Sequence, residues 1–279
     1  MFKTRVISGV VLVIIIALMN FIGGPFMGCM LFLISSQGLF EFYRAVGVYN
    51  DKAGKEHTLL EYIGYGGTAV YYITALLSQR DSLLKLILIL CIVLVAMLAV
   101  YVFTFPRYEG DLVMKAFFGF MYVPVMMSFI FLTRTMECGA YLVWFIYVSS
   151  WICDTCAYLV GMRFGKRKLA SMLSPKKSVE GAMGGLVGSA VVAIIFAGLF
   201  MQHYDIGGTG ILLGFVIIGI VGAIASQVGD LAASAFKRNH NVKDYGVIIP
   251  GHGGVLDRFD SVIFTAPMIY FLAAVLLGF

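Results

Sequence analysis

Between Ser234 and Asp260 the chain gathers Lys237, Arg238, Lys243, Asp244, His252, Asp257, Arg258 and Asp260 into one polar stretch bracketed by apolar runs. Ammonium and guanidinium groups at this density suit phosphate oxygens, and carboxylates three apart at a helix start, as Asp257 and Asp260 are, can face the same way. Gly251, Gly253 and Gly254 surround His252 and allow close backbone approach to a ligand. Singly, Asp257 reads equally well as a helix cap and His252 as a turn histidine. Capping does not call for this many charged groups between two apolar segments, so the stretch reads as a site.

A second basic stretch, 163–180, runs RFGKRKLASMLSPKKSVE, with Glu180 as its only acid. Attraction to anionic headgroups, about 1 kcal/mol per Lys or Arg near the surface, would account for part of it. Lys176, Lys177 and Ser178 run directly into Glu180-Gly181 at a helix start, where backbone N–H groups, a hydroxyl and two ammoniums can converge on phosphate. Neither Gly54-Lys55 nor Gly165-Lys166 has a glycine at the Walker A spacing before it, which excludes a P-loop kinase.

Carboxylates at membrane depth are the next signal, because an Asp at a helix centre costs about 2.5–3.5 kcal/mol on insertion and is kept for function. Asp154 lies inside one apolar run and Asp230 near the end of another. Gln227, Asp230, Ser234 and Lys237 recur at helical spacing, so they form one polar face on an otherwise apolar segment. Glu41 and Glu61 lie nearer their helix ends and read as solvated or paired with Arg44. Cys153 and Cys156 form a C-x-x-C at membrane depth without a second pair and read as small packing residues.

The elements that must position these groups follow from composition. The 279 residues are 61% hydrophobic and 13% charged, against roughly 25% charged in soluble domains. Nine apolar segments can be drawn, at about 6–22, 25–46, 60–78, 83–105, 112–133, 140–161, 182–201, 210–232 and 259–278. They are too long and too uniformly apolar for barrel strands, so the fold class is an all-α polytopic membrane protein. Lys3 and Arg5 before the first run imitate a secretory signal, but the run is long and no cleavage site follows it, so it reads as the first transmembrane helix. Residues 1–135 form an N-terminal set of about five spans and 136–279 a C-terminal catalytic region with loops 163–180 and 233–258. With the N-terminus inside, all but Arg80, Lys85 and Arg134 of the 20 Lys and Arg fall on the cytoplasmic side, both loops included, and Phe279 falls outside. Gly181, Gly184, Gly185 and Gly188 open the seventh helix at a spacing that lets helix backbones approach.

Ser234 to Asp260 closely resembles the signature of the phosphatidate cytidylyltransferase family, the CDP-diacylglycerol synthases. The signature has a Ser, Lys-Arg, Lys-Asp, Pro-x-His-Gly-Gly, Asp-Arg and a final Asp, and Ser234, Lys237, Arg238, Lys243, Asp244, Pro250, His252, Gly253, Gly254, Asp257, Arg258 and Asp260 meet each fixed position. The likeness extends to Ser174–Gly181, with Ser178 where the family more often has Thr, and to Asp154-Thr155, Ala157-Tyr158 and Gly161. It covers most of 140–279, while the first four helices match only in length and apolarity.

The resemblance implies transfer of the cytidylyl group of CTP to phosphatidate, giving CDP-diacylglycerol and pyrophosphate in phospholipid biosynthesis. It implies Mg2+ held by Asp230 and Asp257, catalytic roles for these and for Lys237 and Arg238, and substrate contacts from Asp154, Lys176, Lys177, Ser178, Ser234, Lys243, Asp244, His252, Arg258 and Asp260. The expected partners are CTP, phosphatidate and the bilayer of the cell inner (plasma) membrane, with a homodimer as a candidate assembly and no nucleic acid. A CTP-dependent transferase acting on another lipid phosphate shares this logic. A polytopic transporter would also use nine helices and Asp154, but it predicts internal repeats and midplane polar groups on several helices. The sequence has no convincing repeat, and its polar groups concentrate at the ends of the last four spans.

Overall fold

The computed structural model describes residues 2–49, 57–78, 82–251 and 253–278. Gly54, Lys55, Arg80, His252 and Phe279, named above, lie outside them. A helix forms at each apolar segment: α1 (Phe2–Ile22), α2 (Gly24–Val46), α3 (Leu59–Leu77), α4 (Ser82–Phe103), α5 (Gly110–Phe120) continuing into α6 (Met126–Thr135), α7 (Gly139–Phe164), α8 (Val179–Tyr204), α9 (Thr209–Asn239) and α10 (Leu256–Leu276). Seven of these segments, counting α5–α6 as one, are long and apolar enough to cross a membrane among the described residues, while the apolar part of α1, Val6–Ile22, is shorter. The chain is therefore an all-α, multi-pass membrane protein. The exposed side chains of α4 include Leu84, Ile87, Leu88, Ile92, Val95 and Val102, an outward apolar face that only hydrocarbon can solvate.

Local chemistry sets the helix ends. Gly23 and Gly24 adopt positive φ, and Pro25 begins α2, which makes the turn out of α1. The Thr58 hydroxyl caps α3 by accepting from the Glu61 amide at 3.2 Å. Pro124, having no N–H to give, falls inside a π-helical turn, Met121–Val125, that joins α5 to α6 without breaking the rod.

The described residues divide into two compact units. The first takes in Met1–Phe131 and Asn239–Arg258, the second Leu132–Arg238 and Phe259–Phe279. Segment 239–258 is thus part of the first unit, with the early helices. In that unit Phe42, Tyr43, Tyr71, Tyr72 and Phe120 are buried, and the Tyr43 hydroxyl donates to the Ala116 carbonyl at 2.8 Å.

In the second unit the connection 163–180 differs from a plain loop. Strands β1 (Lys168–Ala170) and β2 (Ser174–Ser178) form an antiparallel hairpin with Lys168 opposite Ser178 and Ala170 opposite Ser174. Pro175 is tolerated because a two-stranded ribbon leaves one side of each strand without a ladder partner. The glycines that open α8 pack on α7 as expected: a Cβ at Gly184 would lie 2.6 Å from Val160, and one at Gly188 would lie 2.8 Å from the Cys156 Cβ. At Gly185 it would lie 2.9 Å from the Cys153 carbonyl oxygen and 3.0 Å from the Cys153 sulfur, so both cysteines line the α7–α8 seam. Gly185→Ala must push backbone from backbone and should lower stability by about 1–3 kcal/mol. Gly198 on the same helix meets nothing within 4 Å, so Gly198→Ala should leave thermal unfolding in detergent unchanged or slightly raised. Equal melting temperatures for the two variants would show that the helices do not meet at this seam.

Candidate active site

The hairpin fixes the position of Lys177. Ser178, buried where β2 ends, caps α8 by accepting from the Gly181 amide at 3.1 Å, and the Glu180 carboxylate accepts from the amides of Lys166 at 3.0 Å and Arg167 at 3.2 Å. The hairpin is thereby stapled to the first turn of α8. Gly161 and Gly165 leave room for the Ser178 hydroxyl, which a Cβ would meet at 3.0 Å and 2.7 Å respectively. Lys176 is exposed, while Lys177 pairs with the Asp230 carboxylate of α9, the Lys177 and Asp230 side chains being 29% and 28% exposed.

Two further carboxylates join this pair. A Cβ at Gly229 would lie 2.6 Å from the Asp260 carbonyl, so α9 and α10 pack backbone against backbone next to Asp230. Asp260 accepts from the Ser261 amide at 2.8 Å, and the Ser261 hydroxyl donates to Asp154 of α7 at 3.5 Å. Asp154, Asp230 and Asp260 thus come within range of one another's charge, with Lys177 and Lys237 as the opposing ammoniums. Gln227, one turn earlier on the polar face of α9, donates to the Ala182 carbonyl at 3.0 Å and ties α9 to α8. Ser234 is half-buried and Arg238 exposed.

The first unit holds the rest of the signature. Ile249 donates to the Gly253 carbonyl at 2.9 Å, and Gly251 and Gly253 take positive φ, closing a tight loop at Pro250–Gly254. His252 lies outside the described residues. Asp257 is 7% exposed, and its Oδ2 accepts from the amides of Tyr245 at 2.8 Å and Gly254 at 3.0 Å. Its visible task is to close the loop on itself. Lys243, Asp244 and Arg258 are exposed. Burial, and then the Lys115 charge, hold the imidazole of His240, just past α9, below its ordinary range, so the positive charge here is that of the lysines and arginines.

Two readings of isolated carboxylates change. Glu41 is neither solvated nor paired with Arg44: it is 1% exposed and accepts from the amides of Val255 at 3.0 Å and Leu256 at 2.9 Å. Arg44 instead donates to the Tyr245 carbonyl at 2.7 Å. Glu61 is buried, with His57 Nδ1 at 3.1 Å from its carboxylate. An acid within an apolar run was the available sign at Glu41, but a partner more than two hundred residues away cannot be read from spacing.

Oxygen-only donors and excess negative charge at Asp154, Asp230 and Asp260 match the chemistry of a hard divalent cation such as Mg2+, which uses one or two carboxylates and keeps several waters. Among the described residues no group of three or more His, Cys, Asp or Glu gathers closely enough to hold a metal alone.

The fold is that of an all-α, multi-pass membrane protein, and in its second unit carboxylates and ammoniums from several elements meet. Residues 3–276 match the Cytidylyltransferase family, and the chain belongs to it. A protein of Bacillus subtilis (strain 168) named phosphatidate cytidylyltransferase is 32% identical over 98% of this chain and 97% of its own. Proteins of the same name from Staphylococcus haemolyticus and Haemophilus influenzae are 40% and 43% identical over 52% and 46% of this chain, stretches spanning 54% and 44% of their own lengths.

The hairpin makes a sharp distinction between neighbouring lysines. In a double-mutant cycle on thermal unfolding, Lys177→Ala and Asp230→Ala should show a coupling of about 0.5–3 kcal/mol, and Lys176→Ala with Asp230→Ala should be additive within about 0.5 kcal/mol. Additivity for Lys177 would separate the pair.

Proposed function

We propose that the protein transfers the cytidylyl group of CTP to phosphatidate, forming CDP-diacylglycerol and pyrophosphate, at the cytoplasmic face of a bacterial inner membrane. The observation that carries the reading is the convergence of Asp154, Asp230 and Asp260 from three helices on the ammoniums of Lys177 and Lys237. Membership of the Cytidylyltransferase family and the names of the relatives support it. The skew of Lys and Arg to one set of loops supports the orientation.

Phosphatidate brings its own nucleophile, a phosphate oxygen already ionised, so no side chain need act as a strong base. The obstacle is repulsion between anions. Two unit charges about 4 Å apart repel by roughly 4 kcal/mol at an effective dielectric of 20, and lipid phosphate and triphosphate present several such pairs. Lys177 and Lys237 offset that repulsion where the acids meet, and exposed Arg238, Lys243 and Arg258 draw the nucleotide in. Magnesium, with Asp230 proposed among its ligands, would when bound neutralise the phosphates of CTP and stabilise the departing pyrophosphate. In-line attack at the α-phosphate then forms the lipid P–O–P bond and breaks the α–β bond, the electron pair leaving with pyrophosphate.

Purified protein in detergent, given CTP, phosphatidate and magnesium, should yield CDP-diacylglycerol and pyrophosphate in equal amounts, and diacylglycerol should not replace phosphatidate. Asp230→Asn, nearly isosteric, should lower turnover about tenfold or more while leaving the folded protein intact, because an amide is a weaker ligand for a hard cation than a carboxylate. Protein that binds phosphatidate but releases no pyrophosphate from CTP with any divalent ion would overturn the reading.

A further inference from the structure

The early helices, which carry none of the signature, hold the segment that does. Glu41 of α2 places Oε1 against the Val255 amide at 3.0 Å and Oε2 against the Leu256 amide at 2.9 Å, with Gln37 donating to Oε1 at 3.3 Å. Leu256 is the first residue of α10, so these amides belong to the helix start, where N–H groups have no intrahelical partner. Glu41 is thus a cap supplied from another helix. One turn along α2, Arg44 holds the Tyr245 carbonyl, and the Phe42 ring lies 6.4 Å from the buried Tyr245 ring.

Two glycines make room for the contact. A Cβ at Gly246 or at Gly254 would lie 2.7 Å from the Glu41 Cδ, so both strands of the loop lie directly on the carboxylate. Asp257 grips the same backbone from within through the Tyr245 and Gly254 amides. Tyr245, Gly254, Val255 and Leu256 are therefore held by two buried carboxylates, one of them from α2. A carboxylate suits the place because it only accepts, and each oxygen meets a donor.

We propose that Glu41 is a positioning residue for cytidylyl transfer: by capping α10 and seating Tyr245–Leu256, it sets the placement of Asp257 and Arg258. This rests on the proposed reaction only in assigning that segment to it. Glu41 has no need to touch either substrate, so its loss falls on turnover, since small misplacements of reacting groups lower rate steeply.

Glu41→Gln keeps the shape but turns an NH2 toward a backbone donor. Its kcat should fall about tenfold or more with KM for phosphatidate changed less than about threefold. Hydrogen exchange at the Gly254, Val255 and Leu256 amides should rise about tenfold or more while α2 keeps its protection. Glu41→Asp, which retains the charge, should fall between Gln and the native residue in both measures. Where Glu41→Gln does not fold, Arg44→Gln decides on the same two measurements. A folded variant with kcat within threefold of native, or with unchanged exchange at the three amides, overturns the proposal. Exchange does not depend on CTP chemistry, so it rises even if the native protein proves to have another activity. An inactive native protein would count against the proposed reaction and, with no turnover to position, overturn the positioning role while leaving the clamp.

Discussion

Hydrocarbon offers no water, so a charge carried to its edge must be met by a protein group or by a ligand. The protein meets its charges from other segments. Lys177 reaches Asp230 from a hairpin, backbone amides of Tyr245 and Gly254 meet Asp257, and amides of Val255 and Leu256 meet Glu41. The Lys177 and Glu41 matches join pieces distant in sequence, and Asp257 closes its own loop. The cost of an unmatched charge is therefore what forces the helix ends into defined positions. Where Asp154, Asp230 and Asp260 meet, the match is incomplete, and the excess of negative charge is what a divalent cation would balance.

Small residues allow these matches to form. Gly184, Gly185 and Gly188 bring α8 onto α7, and Gly229 brings α9 onto α10, so Asp154, Asp230 and Asp260 share one region of the second unit. Gly246 and Gly254 do the same for the loop on Glu41. Lipid cannot drive helices together as water does, so close backbone approach and polar contacts carry the association.

Much of this was legible in the sequence for physical reasons. Apolar runs of spanning length have one solution in lipid, so helices appear at each expected segment. Helical spacing put Gln227, Asp230, Ser234 and Lys237 on one face, and the glycines of α8 announced a close seam. Three things were not legible. Ser174–Ser178 holds Pro, Lys and Ser and gives no strand pattern, yet becomes a strand because its partner Lys168–Ala170 and the Ser178 cap hold it. Lys176 and Lys177 read as equivalent, and only the Asp230 partner of Lys177 separates them. Glu41 read as solvated or paired with Arg44 because its partners are backbone amides, which carry no residue type to recognise.

The chemistry that follows is positional. Lipid phosphate and triphosphate need no activated nucleophile, only neutralised charge and alignment, and the paired ends of α7, α9 and α10 with the hairpin lysine supply both in this account. Its central claim is that the intact phosphate of phosphatidate attacks CTP. Phosphatidate labelled with oxygen-18 throughout its phosphate tests this most directly, by mass spectrometry of both products. All the label should stay in CDP-diacylglycerol and pyrophosphate should be unlabelled; label in pyrophosphate, or lost to water, would rule out direct attack by the lipid phosphate.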